Sequence, residues 1–150
     1  MEIIDYSGEH QKDCVRVLES NLGQYFVERE IRDFVEFLEG EATVEPYFVV
    51  INDAAEVAAC GGITATADKA VLTWGLVEHR LHGKGIGQLL LRHRLRSIRE
   101  RYGALPVEIE TSQKTQGFFE KYGFRPVRRD EDGISKGLDR VLMVRPAESG

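Results

Sequence analysis

The chain has 150 residues, of which 42% are hydrophobic and 30% are charged, and its formal net charge is -5. This length is about that of one domain, and the acidic balance argues against a general nucleic-acid binder. The start MEIIDYSGEH lacks the basic and apolar regions of a secretory signal, and no apolar run is long enough to cross a membrane, so we expect a cytoplasmic protein without membrane contact.

The first half of the chain is predicted to contain a short strand, two helices and three further strands. Apolar side chains recur at three- and four-residue spacing in the helices, and β-branched and aromatic residues are frequent in the strands. The predicted bounds are, in chain order, a strand at 1–6, helices at 9–21 and 26–38, and strands at 47–51, 57–66 and 70–77.

The second half begins with a long predicted helix at 87–101, with an apolar stripe of Leu91, Leu95, Ile98 and Tyr102 and with its arginines largely on other faces. The remaining elements are a strand at 107–111, a short helix at 113–122, and strands at 124–129 and 138–144, with the polar stretch DEDGISKG expected to form a loop. This order predicts one α/β (α+β) domain with a central mixed, largely antiparallel sheet flanked by helices.

Charge and cysteine content narrow the ligand classes. Residues 1–75 carry 5 basic and 15 acidic side chains, and residues 76–150 carry 15 basic and 10 acidic ones, which gives -10 and +5. Two explanations stay open: an unevenly charged surface, or an anion site in the second half with a preference for a cationic acceptor in the first. Cys14 and Cys60 form no CxxC pair, so we expect neither a metal site nor a disulfide framework.

Three alternate glycines, Gly83, Gly85 and Gly87, stand at the start of the long helix. The first turn of a helix leaves backbone N–H groups unpaired and carries partial positive charge, so glycines there allow a phosphate to approach closely. His82 and Lys84 can add hydrogen-bonding or positive groups. The pattern matches neither GxxxxGK[S/T] nor GxGxxG, and a flexible connection or tight helix–sheet packing remains an alternative.

Two sequence blocks resemble the GCN5-related N-acetyltransferases. VEHRLHGKGIGQLLL is similar to the acyl-CoA signature V-x-P-x-x-R/Q-G-x-G-I/L-G/A-x-x-L-L, and TSQKTQGFFEKYGF is similar to the downstream N/S-x-x-A-x-x-F-Y-E-K-x-G-F. One helix and one strand separate the blocks, as in the family. The resemblance implies the acyl-CoA N-acyltransferase fold over a single domain, residues 1–150, with acetyl-CoA as the acyl donor and no metal.

The resemblance also implies where the cofactor lies. The strand backbone near Leu76 and Val77 would bind the pantetheine arm, and Gly75 would mark a bulge in that strand. The thiol end would lie beside the helix at 113–122, near Ser112 and Phe119. The pyrophosphate would be bound by the segment from the strand end into the long helix, His82, Gly83, Lys84, Gly85, Ile86, Gly87 and Gln88.

The chain departs from the family pattern at two positions. His82 replaces the usual arginine or glutamine, but binding through backbone N–H groups should tolerate that change. Phe119 replaces the tyrosine that protonates the departing CoA thiolate in many members, and phenylalanine has no proton to donate. Tyr122 lies three residues further along, on an adjoining face of a helix, so we expect it to be a poor substitute.

Acetyl transfer to an amine requires a base that removes a proton from the ammonium form. Glu110 and Glu108 alternate on one face of a strand and can both point into a cleft, and Glu78 ends the preceding strand. Our order of preference is Glu110, Glu108, Glu78, although each can also be a solvent-facing charge. The resemblance to the family implies that the segment 21–32 contacts the acceptor, and the alternative is that its Tyr25 and Phe26 are core contacts of the second helix.

The sequence thus predicts an acetyl-CoA-dependent N-acetyltransferase that acts on a primary amine, with a small molecule as the first choice of acceptor. Alternatives are a protein N-terminus or lysine as acceptor, a CoA-binding module without turnover, and a nucleotide-binding regulator. We expect no nucleic-acid or membrane partner, and a homodimer is left open.

Overall fold

The computed structural model describes residues 1–148, in which seven strands form one sheet with the order β1-β2-β3-β4-β5-β7-β6. All neighbouring strands are antiparallel except β4 and β5, which are parallel. The predicted mixed, largely antiparallel sheet is therefore confirmed. The strands are β1 (Glu2–Asp5), β2 (Tyr47–Ile51), β3 (Val57–Ala65), β4 (Ala70–Val77), β5 (Val107–Thr111), β6 (Arg125–Ser135) and β7 (Leu138–Arg145).

Four α-helices cover the two faces of the sheet: α1 (Gln11–Glu19), α2 (Glu30–Glu39), α3 (Ile86–Tyr102) and α4 (Gln116–Glu120). Short 3-10 turns lie at Gly8–His10, Glu41–Thr43 and His79–Leu81. The first two helices bury Leu18 and Phe34 in one core cluster, whereas α3 and α4 bury Leu91 and Phe119 in a second cluster. Within residues 1–148, no helix combines the length and apolar character needed to span a membrane.

The largest differences from the predicted bounds lie in the second helix, in α4 and in the stretch DEDGISKG. The second helix begins at Glu30 rather than near residue 26, and α4 covers only Gln116–Glu120 of the predicted 113–122. The expectation of a loop over DEDGISKG is wrong, because β6 continues to Ser135 and pairs with β7 down to Ser135–Leu138. This stretch is polar since it belongs to an edge strand that is largely exposed.

The centre of β4 contains the expected bulge. Cys60 pairs with Leu76 and Gly62 pairs with Thr73, so that Trp74 and Gly75 stand opposite Gly61 alone. Trp74 takes the positive φ of 38°, which is unusual for a residue with a large side chain. The strand is therefore bent just where it would otherwise run alongside β5.

The parallel pairing of β4 with β5 is short. Only Ala70–Val107 and Val71–Glu108 are paired, and beyond them the two strands are no longer paired. The second half of β4 thus has no ladder partner on its β5 side within residues 1–148. This divergence leaves a gap between the strands, above α3.

The buried face of α3 contains a charged residue. The helix buries Ile86, Leu90, Leu91, Arg94, Ser97 and Ile98. The expectation that the arginines lie away from the apolar stripe is wrong for Arg94, which is only 3% exposed. Its position follows helical geometry, because Arg94 lies three residues after Leu91 and four before Ile98.

Candidate active site

A cavity of about 930 Å³ occupies the gap between β4 and β5. Its walls come from the segment between α1 and α2, the second half of β4, the start of α3, β5, α4, and the β6–β7 hairpin. Of the residues proposed from the sequence, those that line it are Leu76, Val77, His82, Gly83, Gly85, Gly87, Gln88, Glu108, Glu110, Ser112 and Phe119. Glu78, Lys84 and Ile86 are not part of this lining.

The glycine segment leads directly into α3. Gly83 and Gly85 have positive φ values of 79° and 86°, and a Cβ placed on either would have no atom within 4 Å. Gly85 is the residue that precedes the helix, so open space borders the unpaired N–H groups of its first turn. Lys84 is exposed and the Ile86 side chain is buried in the core, so each can contribute to this site through its backbone.

Gly87 lies within the first turn of α3 and faces the cavity. A Cβ on Gly87 would lie 3.5 Å from the Phe118 ring and 3.8 Å from the Val77 side chain, both of which also line the cavity. These are ordinary contacts, so the protein itself does not exclude a side chain here. The position therefore leaves space at the start of α3 in which a ligand can approach the backbone.

The end of β4 is held by two side chains that bind the same carbonyl. Asn21 Nδ2 lies 2.9 Å and His82 Nε2 lies 2.8 Å from Val77 O. A carbonyl oxygen only accepts, so His82 carries its proton on Nε2. The Asn21 Oδ1 atom is buried and has no hydrogen-bond partner in residues 1–148, although Asn21 lines the cavity.

The three proposed carboxylates have different surroundings. Glu108 forms an ion pair of 2.7 Å with Lys69, beside the last β4–β5 pair. Glu110 lies two residues further along β5, where β4 has already diverged, with Arg140 Nε at 3.8 Å. Glu78 accepts hydrogen bonds from the backbone and side chain of Arg80, outside the cavity. The structure thus brings Glu108 and Glu110 to the cavity but not Glu78.

One end of the cavity combines acidic and aromatic groups from the segment around α2. Glu30 and Glu41 line this end together with Phe26, Phe37 and Trp74. Burial raises the pKa of Glu30 above its usual range, and a hydrogen bond of 3.0 Å from Val27 N–H only partly opposes that effect. A half-buried carboxylate of this kind favours a cationic ligand.

The opposite wall of the cavity is aromatic. Phe118, Phe119 and Tyr122 all line it, and Phe119 is 7% exposed with its ring 5.5 Å from that of Phe124. Tyr122 follows the end of α4 instead of lying within it, so its direction is set by the turn there. Ser112 is buried and its Oγ accepts from Lys114 N–H at 3.2 Å, which holds the turn that leads into α4.

Among the lining residues that were not singled out from the sequence are Asn21, Glu30 and Arg94. Asn21 and Glu30 fell within the segment 21–32 proposed for acceptor contact, but nothing in their spacing distinguished them from their neighbours. Arg94 had a detectable signal, because it lies at helical spacing among apolar residues of α3.

Comparison with known proteins agrees with this geometry. The family model described as "Acetyltransferase (GNAT) domain" matches residues 15–145. No curated protein sequence matches the chain significantly.

Several solved structures share the fold. An aminoglycoside 6'-N-acetyltransferase complexed with coenzyme A is 12% identical, with a TM-score of 0.79 over 100% of this chain and 99% of that chain. The ribosomal-protein-S18-alanine N-acetyltransferase from Escherichia coli is 15% identical, with a TM-score of 0.79 over 99% of this chain and 95% of that one. Ard1 from Thermoplasma volcanium is 20% identical, with a TM-score of 0.77 over 99% and 98%.

The raised pKa of Glu30 predicts a pH-dependent stability difference. A carboxyl group whose pKa is higher in the folded state destabilises the fold when ionised, and this penalty disappears as pH falls below both pKa values. Glu30→Gln should therefore raise Tm at pH 7, by no more than about 2 °C because the group is half exposed. The gain should vanish near pH 3.5, as measured by thermal melting. An equal gain at both pH values would contradict the argument.

Proposed function

This chain belongs to the acetyltransferase (GNAT) domain family, and we propose that it transfers an acetyl group from acetyl-CoA to a primary amine of a small molecule. The observation that carries the proposal is the cavity between the diverging strands β4 and β5, bordered by the glycine start of α3 and by Glu110. Within residues 1–148, a helix start suited to an anion thus lies on one side of the cavity, and a carboxylate lies on the other.

The residues present fit acetyl-CoA. The open space at Gly83 and Gly85 lies beside the N–H groups that begin α3, which suits a pyrophosphate. Beyond Val71 the β5 side of β4 has no ladder partner within residues 1–148, so backbone groups there other than Val77 O, which Asn21 and His82 already bind, are available to an extended amide-containing arm near Leu76 and Val77. Acetyl-CoA would supply the activated acyl group.

The proposed role of Glu110 is that of general base. An ammonium group that enters from the acidic end transfers a proton to the Glu110 carboxylate, which lies in the widened part of the gap. The amine nitrogen then forms the C–N bond as the C–S bond of the thioester breaks, the electron pair leaves on the CoA sulfur, and the nitrogen releases its second proton to solvent. Glu108 ranks second because Lys69 already pairs with it, and Glu78 ranks third because it lies outside the cavity.

The leaving sulfur has no tyrosine beside it at position 119. The Phe119 ring cannot donate a proton, and Tyr122 lies beyond the end of α4. We propose that CoA leaves as the thiolate and that solvent protonates it afterwards.

A small-molecule acceptor is favoured over a protein segment because the acidic end of the cavity is partly covered by the β6–β7 hairpin. Arg29 donates a hydrogen bond to Ile134 O, which links the segment before α2 to the β6–β7 hairpin, and Ile134 itself lines the cavity. This contact narrows the opening at the acidic end of the cavity, through which an extended peptide would have to pass. Acetylation of a protein N-terminus or lysine, as the name of the ribosomal-protein neighbour describes for that protein, remains the second candidate.

The decisive experiment is a screen for acetyl-CoA consumption over a panel of primary amines and peptides. CoA release with a small amine supports the proposal, and release only with peptides supports the second candidate. CoA binding without release by any acceptor would instead favour a binding module.

Gly87 provides a test of the cofactor site. Gly87→Ala adds one methyl group that faces the cavity and improves helix propensity, so we expect an equal or higher Tm with CoA affinity reduced about tenfold or more. Gly117→Ala in α4 is the matched control, because a Cβ there meets no atom within 4 Å and Gly117 lies outside the cavity lining. Calorimetry that finds equal CoA affinity in both variants would refute the site.

The base assignment predicts a ranking among three isosteric variants. Glu110→Gln should lower kcat by about 100-fold or more, as expected for loss of a general base. Glu108→Gln and Glu78→Gln serve as matched controls. Each should change kcat less than about tenfold, because neither residue is expected to accept the ammonium proton. If Glu108→Gln or Glu78→Gln had the lowest kcat of the three variants, that residue would be the base instead of Glu110.

Tyr122 is expected not to replace the missing tyrosine. Tyr122→Phe should change kcat less than about tenfold, whereas loss of a general acid costs about 100-fold or more. Steady-state kinetics with unchanged Tm and CoA affinity provide the measurement. A larger loss in a folded, CoA-binding variant would make Tyr122 the acid.

A further inference from the structure

Arg94 is a buried cationic side chain in the wall of the proposed active-site cavity. It is 3% exposed, lies on the inner face of α3, and lines the cavity beside Leu90 and Gly75. Its hydrogen bonding is poor for a buried guanidinium. Nη1 reaches Gly62 O at 3.4 Å, and Nε has no partner in residues 1–148.

No negative charge compensates this guanidinium within residues 1–148. The titratable groups that affect it are Tyr47 and Cys60, neither of which is a carboxylate. Burial raises the pKa of Tyr47 well above its usual range, so that phenol is neutral. Burial lowers the pKa of Arg94 to about 10, which leaves it charged at neutral pH. Buried charges are normally paired, so an unpaired one in a cavity wall indicates a missing partner.

Glycines surround the guanidinium where the sheet bulges. A Cβ on Gly75 would stand 2.7 Å from Arg94 Nη2, and a Cβ on Gly61 would stand 3.1 Å from Arg94 Cζ. Side chains at these two positions would displace the guanidinium from the space under the bulge. The bulge residues of β3 and β4 thus leave room for a charged group in this wall of the cavity.

We propose that Arg94 binds a carboxylate carried by a substrate, and that the carboxylate terminates the acyl chain of the donor. The planar guanidinium matches a carboxylate with two parallel hydrogen bonds, and the cavity is the open side from which such a group can reach it. This inference rests on the proposed acyl transfer. It extends the donor class from acetyl-CoA to an acyl-CoA derived from a dicarboxylic acid.

The charges in the cavity favour the donor over the acceptor as the source of the carboxylate. The acceptor end contains the carboxylates Glu30 and Glu41, which would repel an anionic amine, whereas Glu110 on β5 lies near Arg140. The reaction keeps the same balance as with acetyl: one ammonium proton passes to Glu110, a C–N bond forms as the C–S bond breaks, CoA leaves with the electron pair, and the nitrogen releases its second proton to solvent.

The test compares donors in the parent protein and in Arg94→Leu. We expect the ratio of kcat/KM for succinyl-CoA to that for butyryl-CoA to fall about 10- to 100-fold, the effect of one lost charged hydrogen-bond pair. Arg94→Lys should retain part of the ratio. Arg96→Leu, an exposed arginine on the same helix, removes the same charge and should leave the ratio unchanged.

Folding and binding are measured separately. Leucine removes an unpaired buried charge from an apolar face, so Arg94→Leu should melt at the same or a higher temperature than the parent protein. Calorimetry with succinyl-CoA and with butyryl-CoA gives a readout that needs no turnover. Preferential loss of succinyl-CoA affinity supports the site even if no amine reacts, so the two proposals fail separately.

A second arm identifies the source of the carboxylate. Reactive acceptors are offered as the acid and as the corresponding amide, with butyryl-CoA as donor. If Arg94→Leu lowers kcat/KM only for the acid acceptor, Arg94 binds a carboxylate of the acceptor, and the assignment to the donor is overturned. If Arg94→Leu changes neither donor ratio nor acceptor ratio in kinetics and calorimetry, the proposal is overturned.

Discussion

The early divergence of β4 from β5 is the constraint on which the rest of the site depends. Two residue pairs join these parallel strands, and beyond them the backbone of β4 has no ladder partner on that side within residues 1–148. Unpaired strand groups in an interior must be satisfied by another partner. The gap therefore both creates the cavity and leaves a strand edge that an extended ligand can complete.

The divergent end of β4 is held in place by side chains instead of by a neighbouring strand. Asn21 and His82 both bind Val77 O, which ties the C-terminal end of α1 and the segment before α3 to the same strand. The bulge at Trp74 and Gly75 bends the strand just before this anchor. The geometry of the gap thus rests on a few polar contacts around one carbonyl.

The distribution of charge in the cavity follows from this arrangement. Carboxylate side chains of α2 and β5 line the cavity, and the Arg94 guanidinium lines it from α3 beneath the bulge. Position 119, on α4, is a phenylalanine and therefore provides no proton donor at that point of the wall. In the proposed reaction, acceptor and donor would meet between groups of opposite charge, which would help to orient the substrates electrostatically.

The sequence by itself determined most strand and helix positions and the start of α3, because these depend on local periodicity and on contiguous motifs such as HGKGIG. Gly75 also indicated the bulge from its place in a strand. Only the tertiary structure decided the burial of Arg94, the pairing of Glu108 with Lys69, the exclusion of Glu78 from the cavity, and the extension of β6 through DEDGIS. These features depend on neighbours distant along the chain, such as Gly61 for Arg94 and β7 for β6, which no local pattern records.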